Sequence, residues 1–198
     1  MLTDARLWDE CILIEGTIHM LTQQKEMTFD EFIMFANRPE NENRNFEFID
    51  GEVIEMSPGR ATYSRLEAII ASVVYIFCKE HNLPYNVSVG DGAYRVGNNT
   101  VAPDFAYKDT ELIDEYPDPV PPLWAVEVIS PTDKATDVSN KREIYLRAGI
   151  LYWEVYYPPQ RVDVYAPGQP PKIYKMGDVL NGGEVLPGFT LEVATLFA

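Results

Sequence analysis

Residues 101–145 read VAPDFAYKDTELIDEYPDPVPPLWAVEVISPTDKATDVSNKREIY, and this stretch decides the fold. Its two strand-like segments, V-A-P-D-F-A-Y and L-W-A-V-E-V-I-S, are each apolar except for one acid, Asp104 in the first and Glu127 in the second. Carboxylates are almost never fully buried unless paired or bound to a metal, because desolvating a charge is costly. The second segment is the continuous apolar run expected of a central strand covered on both faces. A helix follows from about Asp137 to just before Gly149. On its ~3.6-residue period, Lys141 shares a face with Val138, Ile144, Tyr145 and Ala148. A lysine therefore looks inward where two acids also look inward.

Working outward, Thr28 and Glu31 form a T-x-x-E capping box before the apolar face of Phe29, Phe32, Ile33 and Ala36, and that helix should stop before Pro39. F-E-F-I-D-G-E-V-I-E-M reads as a hairpin around Asp50-Gly51. Alternation sets Phe46 and Phe48 on one side and Glu47 with Ile49 on the other. From about Ala61 to His81, the series Leu66, Ile69, Ile70, Val73, Val74 and Phe77 marks an amphipathic helix that ends near Asn82 and Pro84. Y-N-V-S-V, A-Y-R-V and V-A-P-D-F-A-Y follow as strands, and residues 108–122 read as a surface loop. I-L-Y-W-E-V-Y-Y and R-V-D-V-Y-A are further strands, and the tail L-P-G-F-T-L-E-V-A-T-L-F-A closes as a strand or a short helix. Residues 1–26 stand apart as an N-terminal arm or extension, in which C-I-L-I-E-G-T-I-H-M is a short strand or a segment packing on a neighbour. Residues 27–198 form one α/β domain (an α+β mixed sheet), a central mixed β-sheet flanked by helices.

The chain has 198 residues, 46% of them hydrophobic and 24% charged, enough to bury one sizeable core. No apolar run approaches the ~20 residues of a membrane span, so no membrane partner is expected. The N-terminal residues lack the pattern of a secretory signal, and the two cysteines, Cys11 and Cys78, make no metal pattern or disulfide framework. A reducing cytoplasm is the expected home. The net charge of −15 argues against a general nucleic-acid binder, whose usual footprint is basic. Residues 60–100 and 131–147 are nevertheless slightly positive, with Arg60, Arg65, Lys134, Lys141 and Arg142 among them. A local basic cleft on an acidic body is compatible with this distribution.

Two acids on adjacent strands and an inward lysine suit a divalent-metal hydrolase acting on a phosphodiester. Mg²⁺ takes oxygen ligands and usually needs only one or two protein carboxylates. Bound metal polarises the phosphoryl oxygen and acidifies a water, while an ammonium stabilises the developing charge.

The P-D pair at 103–104 and E-V-I-S at 127–130 are similar to the signature of the PD-(D/E)XK nuclease superfamily, with its restriction endonuclease-like fold. More closely, the chain resembles a bacterial family of Uma-type restriction endonucleases. The stretches that carry the resemblance are M-T-F-D-E-F, F-E-F-I-D-G-E-V, M-S-P, A-P-D-F-A-Y, V-E-V-I-S-P-T-D, D-V-S-N-K-R-E-I-Y-L-R-A-G-I-L-Y-W and L-P-G-F-T-L, in that order from about residue 27 to the end. The resemblance implies a Mg²⁺-dependent DNA endonuclease, with Mn²⁺ as a substitute. Asp104 and Glu127 would be its metal-binding acids, Val128 would offer its backbone carbonyl, and Glu47 would match the glutamate of the family's E-x-x-D-G segment. The superfamily's lysine normally stands two residues after the second acid, where this chain has Ile129. The resemblance places it instead on the following helix, at Lys141. Relatives often carry a histidine after M-S-P, where this chain has Tyr63-Ser64. Many nucleases pair to cut both strands, so a homodimer is expected.

Read without the resemblance, Asp104 and Glu127 are equally well structural acids, paired with Lys141 or bonded to backbone. Alternation alone makes Glu47 the solvent-facing residue of a half-buried strand. Lys134 reads as a solvated loop lysine, Asp137 as a helix-start acid, and His19 and His81 as surface or packing residues. Tyr152, Trp153, Tyr156 and Tyr157 read as core or interface rather than a base-stacking platform. Two rival functions remain at this level: a nuclease-fold protein that binds a partner or nucleic acid without cutting, and a hydrolase using Asp104 and Glu127 as a metal-free acid/base pair.

Overall fold

A computed structural model describes residues 12–14, 17–19 and 27–198. Strands β1 (Ile12–Ile14) and β2 (Thr17–His19) pair antiparallel. The rest of the expected 1–26 arm, and the His19 side chain with it, lies outside the described residues.

Helix α1 (Phe29–Ala36) begins with the expected capping box: the Thr28 hydroxyl accepts from the Glu31 N–H, and the Glu31 carboxylate accepts from the Thr28 N–H. Its buried Phe32 stacks on Phe48 at 4.8 Å, fastening the helix to β3 (Phe46–Ile49). Strand β4 (Glu52–Glu55) returns antiparallel across a turn whose central residues, Asp50 and Gly51, take φ of 48° and 89°. Positive φ at both positions matches the right-handed twist of a hairpin, which is why the Asp-Gly pair sits there. Helix α2 (Ala61–His81) ends at Asn82 in the left-handed conformation. By length and composition alone α2 could cross a membrane. Its i, i+4 series Leu66, Ile70, Val74 and Cys78 is instead packed in the core.

Strands β5 (Asn86–Val89), β6 (Tyr94–Val96), β7 (Asn99–Val101), β8 (Phe105–Lys108) and β9 (Trp124–Ile129) lead into helix α3 (Ala135–Arg147). After it come β10 (Leu151–Tyr156), β11 (Arg161–Tyr165), β12 (Lys172–Lys175), β13 (Val179–Gly182), β14 (Leu186–Glu192) and a short α4 (Val193–Phe197). The central sheet has the order β12-β11-β10-β9-β8-β5. Only β9 and β10 run parallel in it, with α3 as their crossover, so the sheet is mixed, as expected. A second sheet, β4-β3-β7-β6, and the hairpin β13-β14 flank it.

Alternation along the central strands divides the two faces. Phe105, Trp124, Val126, Val128, Trp153 and Val155 pack with α2, β14 and α4 in the main core. Ala106, Ala125 and Tyr152 face the other way, against Ile144 and Tyr145 of α3 and against Ile49, Tyr94, Val96 and Val101 of the second sheet. Burying each large apolar side chain stabilises by about 1.5–3 kcal/mol. The apolar face can thus offset charged groups desolvated on the α3 face.

Four expectations need correction. V-A-P-D-F-A-Y is not one strand. It breaks at residues 102–104, leaving β7 in the second sheet and β8 in the central one. Pro103 has no N–H for the ladder, which places the corner there. Residues 108–122 are not wholly a surface loop, because Lys108 and Asp118 are buried as an ion pair at 2.8 Å. Helix α3 begins two residues before Asp137, and Ala148 is exposed rather than inward. The tail is both a strand and a short helix.

Candidate active site

The corner at residues 102–104, the open end of β9, the β3–β4 hairpin and the first turns of α2 and α3 enclose a cleft of about 680 Å³. Glu47, Asp104, Glu127, Val128 and Lys141 all line it. Each comes from a different local rule. Glu47 is carried by β3, whose residues are all buried because α1 covers one side and the rest of the domain the other. Glu47 is 7% exposed, so the solvent-facing reading from alternation fails. Asp104 sits just before β8. Glu127 is on β9, on the α3 face of the sheet, and Lys141 is one turn before the buried Ile144 and Tyr145.

Lys141 Nζ lies 2.8 Å from Oε1 of Glu47 and 2.8 Å from Oε1 of Glu127. Tyr145, four residues on and therefore on the same helical face, donates its hydroxyl to Glu127 Oε1 at 3.0 Å. Glu47 Oε1 also accepts the Ala102 N–H at 2.8 Å, and Asp104 Oδ2 accepts the Val128 N–H at 2.6 Å. The acids thus hold the backbone around them as well as the cation between them.

Immediately around Lys141, the carboxylates of Glu47, Asp104 and Glu127 lie close to one ammonium. Burial pushes the Asp104 carboxyl up, opposed by the Val128 N–H and Lys141 and reinforced by Glu47 and Asp133. Burial likewise raises Glu127, with Lys141 pulling down and Asp104 and Glu47 pushing up. Burial alone would lower Lys141, but Glu127 and Glu47 overcome it and keep the ammonium charged. The surplus negative charge is the state a divalent cation would relieve.

The donor set fits Mg²⁺. Among the described residues no three His, Cys, Asp or Glu side chains cluster as a metal cage. Mg²⁺, however, is usually held by one or two carboxylates with waters completing its octahedron. Oδ1 of Asp104 and Oε2 of Glu127 accept no hydrogen bond from the described residues, since the bonds to these side chains use Oδ2 and Oε1. The N–H and C=O of a strand residue project to the same edge. The Val128 carbonyl therefore opens toward Asp104 as its N–H does.

Sequence reasoning missed some of the lining. Glu67 of α2 reaches the cleft one turn after Tyr63, and burial, with Asp104 and Asp91, pushes it up to about 7. Its i, i+4 spacing from Tyr63 was the available signal. Tyr63 itself also lines the cleft. Lys134 and Asp137 are exposed, as expected, and also line the cleft. His81 is elsewhere: its ring stacks on Phe77 at 4.1 Å and its Nδ1 lies 2.9 Å from the Phe77 carbonyl, a packing role. Tyr152 and Trp153 are core residues, as expected.

Comparison with solved structures gives a crystal structure from Anabaena variabilis, described as "a putative nuclease belonging to DUF820". It is 21% identical, with a TM-score of 0.71 over 86% of this chain and 97% of that one, and this likeness establishes the shared fold. No curated protein matches the chain. The family model Uma2, described as "Putative restriction endonuclease", matches residues 29–194, from the first turn of α1 into α4. That span takes in every side chain of the cleft just described, and the chain belongs to the Uma2 family.

Proposed function

We propose that the chain is a Mg²⁺-dependent endonuclease that hydrolyses DNA phosphodiesters, accepts Mn²⁺ in place of Mg²⁺, and works as a homodimer in the cytoplasm. The observation that carries this reading is the convergence of Glu47, Asp104, Glu127 and Lys141 on one open cleft. Family membership and the nuclease description of the Anabaena protein support it.

Asp104, Glu127 and the Val128 carbonyl would hold the metal. When bound, the ion polarises a phosphoryl oxygen and acidifies a water. Lys141, clamped between Glu47 and Glu127, presents its remaining N–H to the cleft. There it orients the attacking water and stabilises charge on the phosphoryl oxygens as the new P–O bond forms and the bond to the leaving alkoxide breaks. Glu47 positions Lys141, and Tyr145 fixes the rotamer of Glu127 so that its second oxygen stays turned to the cleft.

Plasmid nicking by the purified protein in Mg²⁺ or Mn²⁺ tests the reading. Cleavage is expected for the wild type and lost in Asp104→Ala and Glu127→Ala, and cleavage persisting in either variant would overturn the assignment. The dimer is tested by sedimentation. The rival reading, a nuclease fold that binds without cutting, is favoured by the net charge of −15. It predicts DNA or protein binding with no nicking in either metal.

A further inference from the structure

Glu127 has a buried neighbour that the catalytic reading does not use. In the parallel pair of β9 and β10, Glu127 stands directly opposite Glu154, which is 0% exposed. Glu154 in turn stands opposite Asp163 of β11. Three acids thus run in a row across the α3 face, and each has its own cation: Lys141 for Glu127, Arg142 for Glu154, Arg161 for Asp163.

Lys141 and Arg142 are consecutive residues of α3, and adjacent strands are only ~5 Å apart. Two cations beside two buried carboxylates invite exchange of partners. A guanidinium taking Glu127 bidentately would occupy both of its oxygens. The surroundings of Glu154 oppose this. Arg142 donates Nε to Oε1 at 2.7 Å and Nη2 to Oε2 at 3.0 Å, a fork an ammonium cannot reproduce. Oε2 also accepts the hydroxyls of Tyr156 at 2.8 Å and Tyr165 at 3.3 Å, and the guanidinium lies over the Tyr165 ring at 4.7 Å. Between the two pairs stands Tyr152, its ring stacked on Tyr145 at 4.8 Å. The Tyr152 hydroxyl is buried with no hydrogen-bond partner among the described residues, so neither cation is bonded to it. Neither Arg142 nor Glu154 lines the cleft that holds Glu127 and Lys141.

We propose that the Arg142–Glu154 pair is a positioning device: it sequesters the guanidinium, fixes α3 against β10, and leaves one oxygen of Glu127 free for a divalent cation. This rests on the metal reading of the preceding section. Partners of this outer kind typically alter metal affinity by about 10–100-fold.

The test is calorimetric titration of the full chain with Mn²⁺ alone, without DNA. The wild type is expected to bind. Glu154→Gln, which frees the guanidinium beside Glu127, is expected to bind at least about tenfold more weakly. Adding Arg142→Met to Glu154→Met removes both charges and is expected to return affinity to near the wild-type value. Tyr156→Phe with Tyr165→Phe loosens Glu154 without stranding a charge and is expected to weaken binding by a smaller factor. That variant carries the test should Glu154→Gln not fold. Wild-type binding with unchanged affinity in folded Glu154→Gln, or in the tyrosine pair if only that variant folds, would overturn the positioning role and leave the metal site standing. Absence of Mn²⁺ binding in the wild type would overturn both.

Discussion

Glu47 on the second sheet and Lys141 on the crossover helix of the central sheet meet as an ion pair at 2.8 Å, so one ammonium bridges the two sheets. Its other contact, Glu127, makes it the centre of a buried triad.

Lys141→Met therefore leaves Glu47 and Glu127 desolvated without their cation. Removing one partner of a buried pair costs about 3–5 kcal/mol. Burial already holds Glu127 above its ordinary range, and loss of the ammonium raises it further. A carboxyl whose folded pKa exceeds its unfolded one favours the fold at low pH and loses that contribution as pH rises. Urea unfolding should show a large destabilisation at pH 8 and a smaller one at pH 5. Nicking activity at pH 8 should fall by about 100–1000-fold in protein that remains folded.

Glu67 supplies a second pH test. Its folded pKa of about 7 stands above the ordinary value of 4.5, with burial as the largest cause. The charged form is thus disfavoured in the folded protein, and stability is lost as pH rises from about 4.5 to 7. Glu67→Gln should match the wild type at pH 4 and exceed it at pH 8. Discounted for a half-exposed side chain, the gain is about 1 kcal/mol. Equal unfolding free energies at pH 8 would refute the assignment.

Lys108 and Asp118 form a pair with no part in the cleft. Asp118 also caps the Ile113 and Val120 N–H groups, at 3.1 and 2.9 Å. Asp118→Ala strands the buried lysine and should cost about 3–5 kcal/mol, whereas Lys108→Met with Asp118→Leu should recover much of it. Nicking at permissive temperature should be unaffected in the double variant.

Arg60 and Lys134 line the cleft at the starts of α2 and α3, where a nucleic-acid backbone would pass. Lys134→Ala and Arg60→Ala should each weaken DNA binding about equally for all sequences. Each should also reduce the slope of log affinity against log salt by about 1. Fluorescence anisotropy in Ca²⁺ across a salt series measures both. An unchanged slope would place these cations outside the DNA path.

Most of the architecture was legible because it rests on local rules: the capping box at Thr28, the Asp50-Gly51 turn, the α2 periodicity and the inward face of α3. Lys141 was legible for the same reason, since helical spacing alone puts it beside Ile144 and Tyr145. The burial of Glu47 was not, because alternation reports one strand's two sides and cannot see that, with α1 over Phe46 and Phe48, the opposite side is closed by the Ala102 corner and Lys141 of α3. Glu154 and Asp163 were hidden among aromatics. Their meaning depends on strand register, which pairs residues far apart in sequence. Pro103 did carry a signal, a residue unfit for a ladder, that the apolar run around it outweighed.

The Glu47–Ala102 and Asp104–Val128 hydrogen bonds have an evolutionary consequence. Both acids fasten the corner where the chain passes from one sheet to the other. A descendant that ceased to cut would still be selected to keep them, because losing either would leave a backbone N–H unsatisfied at that corner. Retention of these two acids in such a descendant would therefore record the integrity of a joint. On the proposed reading, the residue whose loss would mark retirement from catalysis is Glu127, whose carboxylate supports no backbone donor among the described residues.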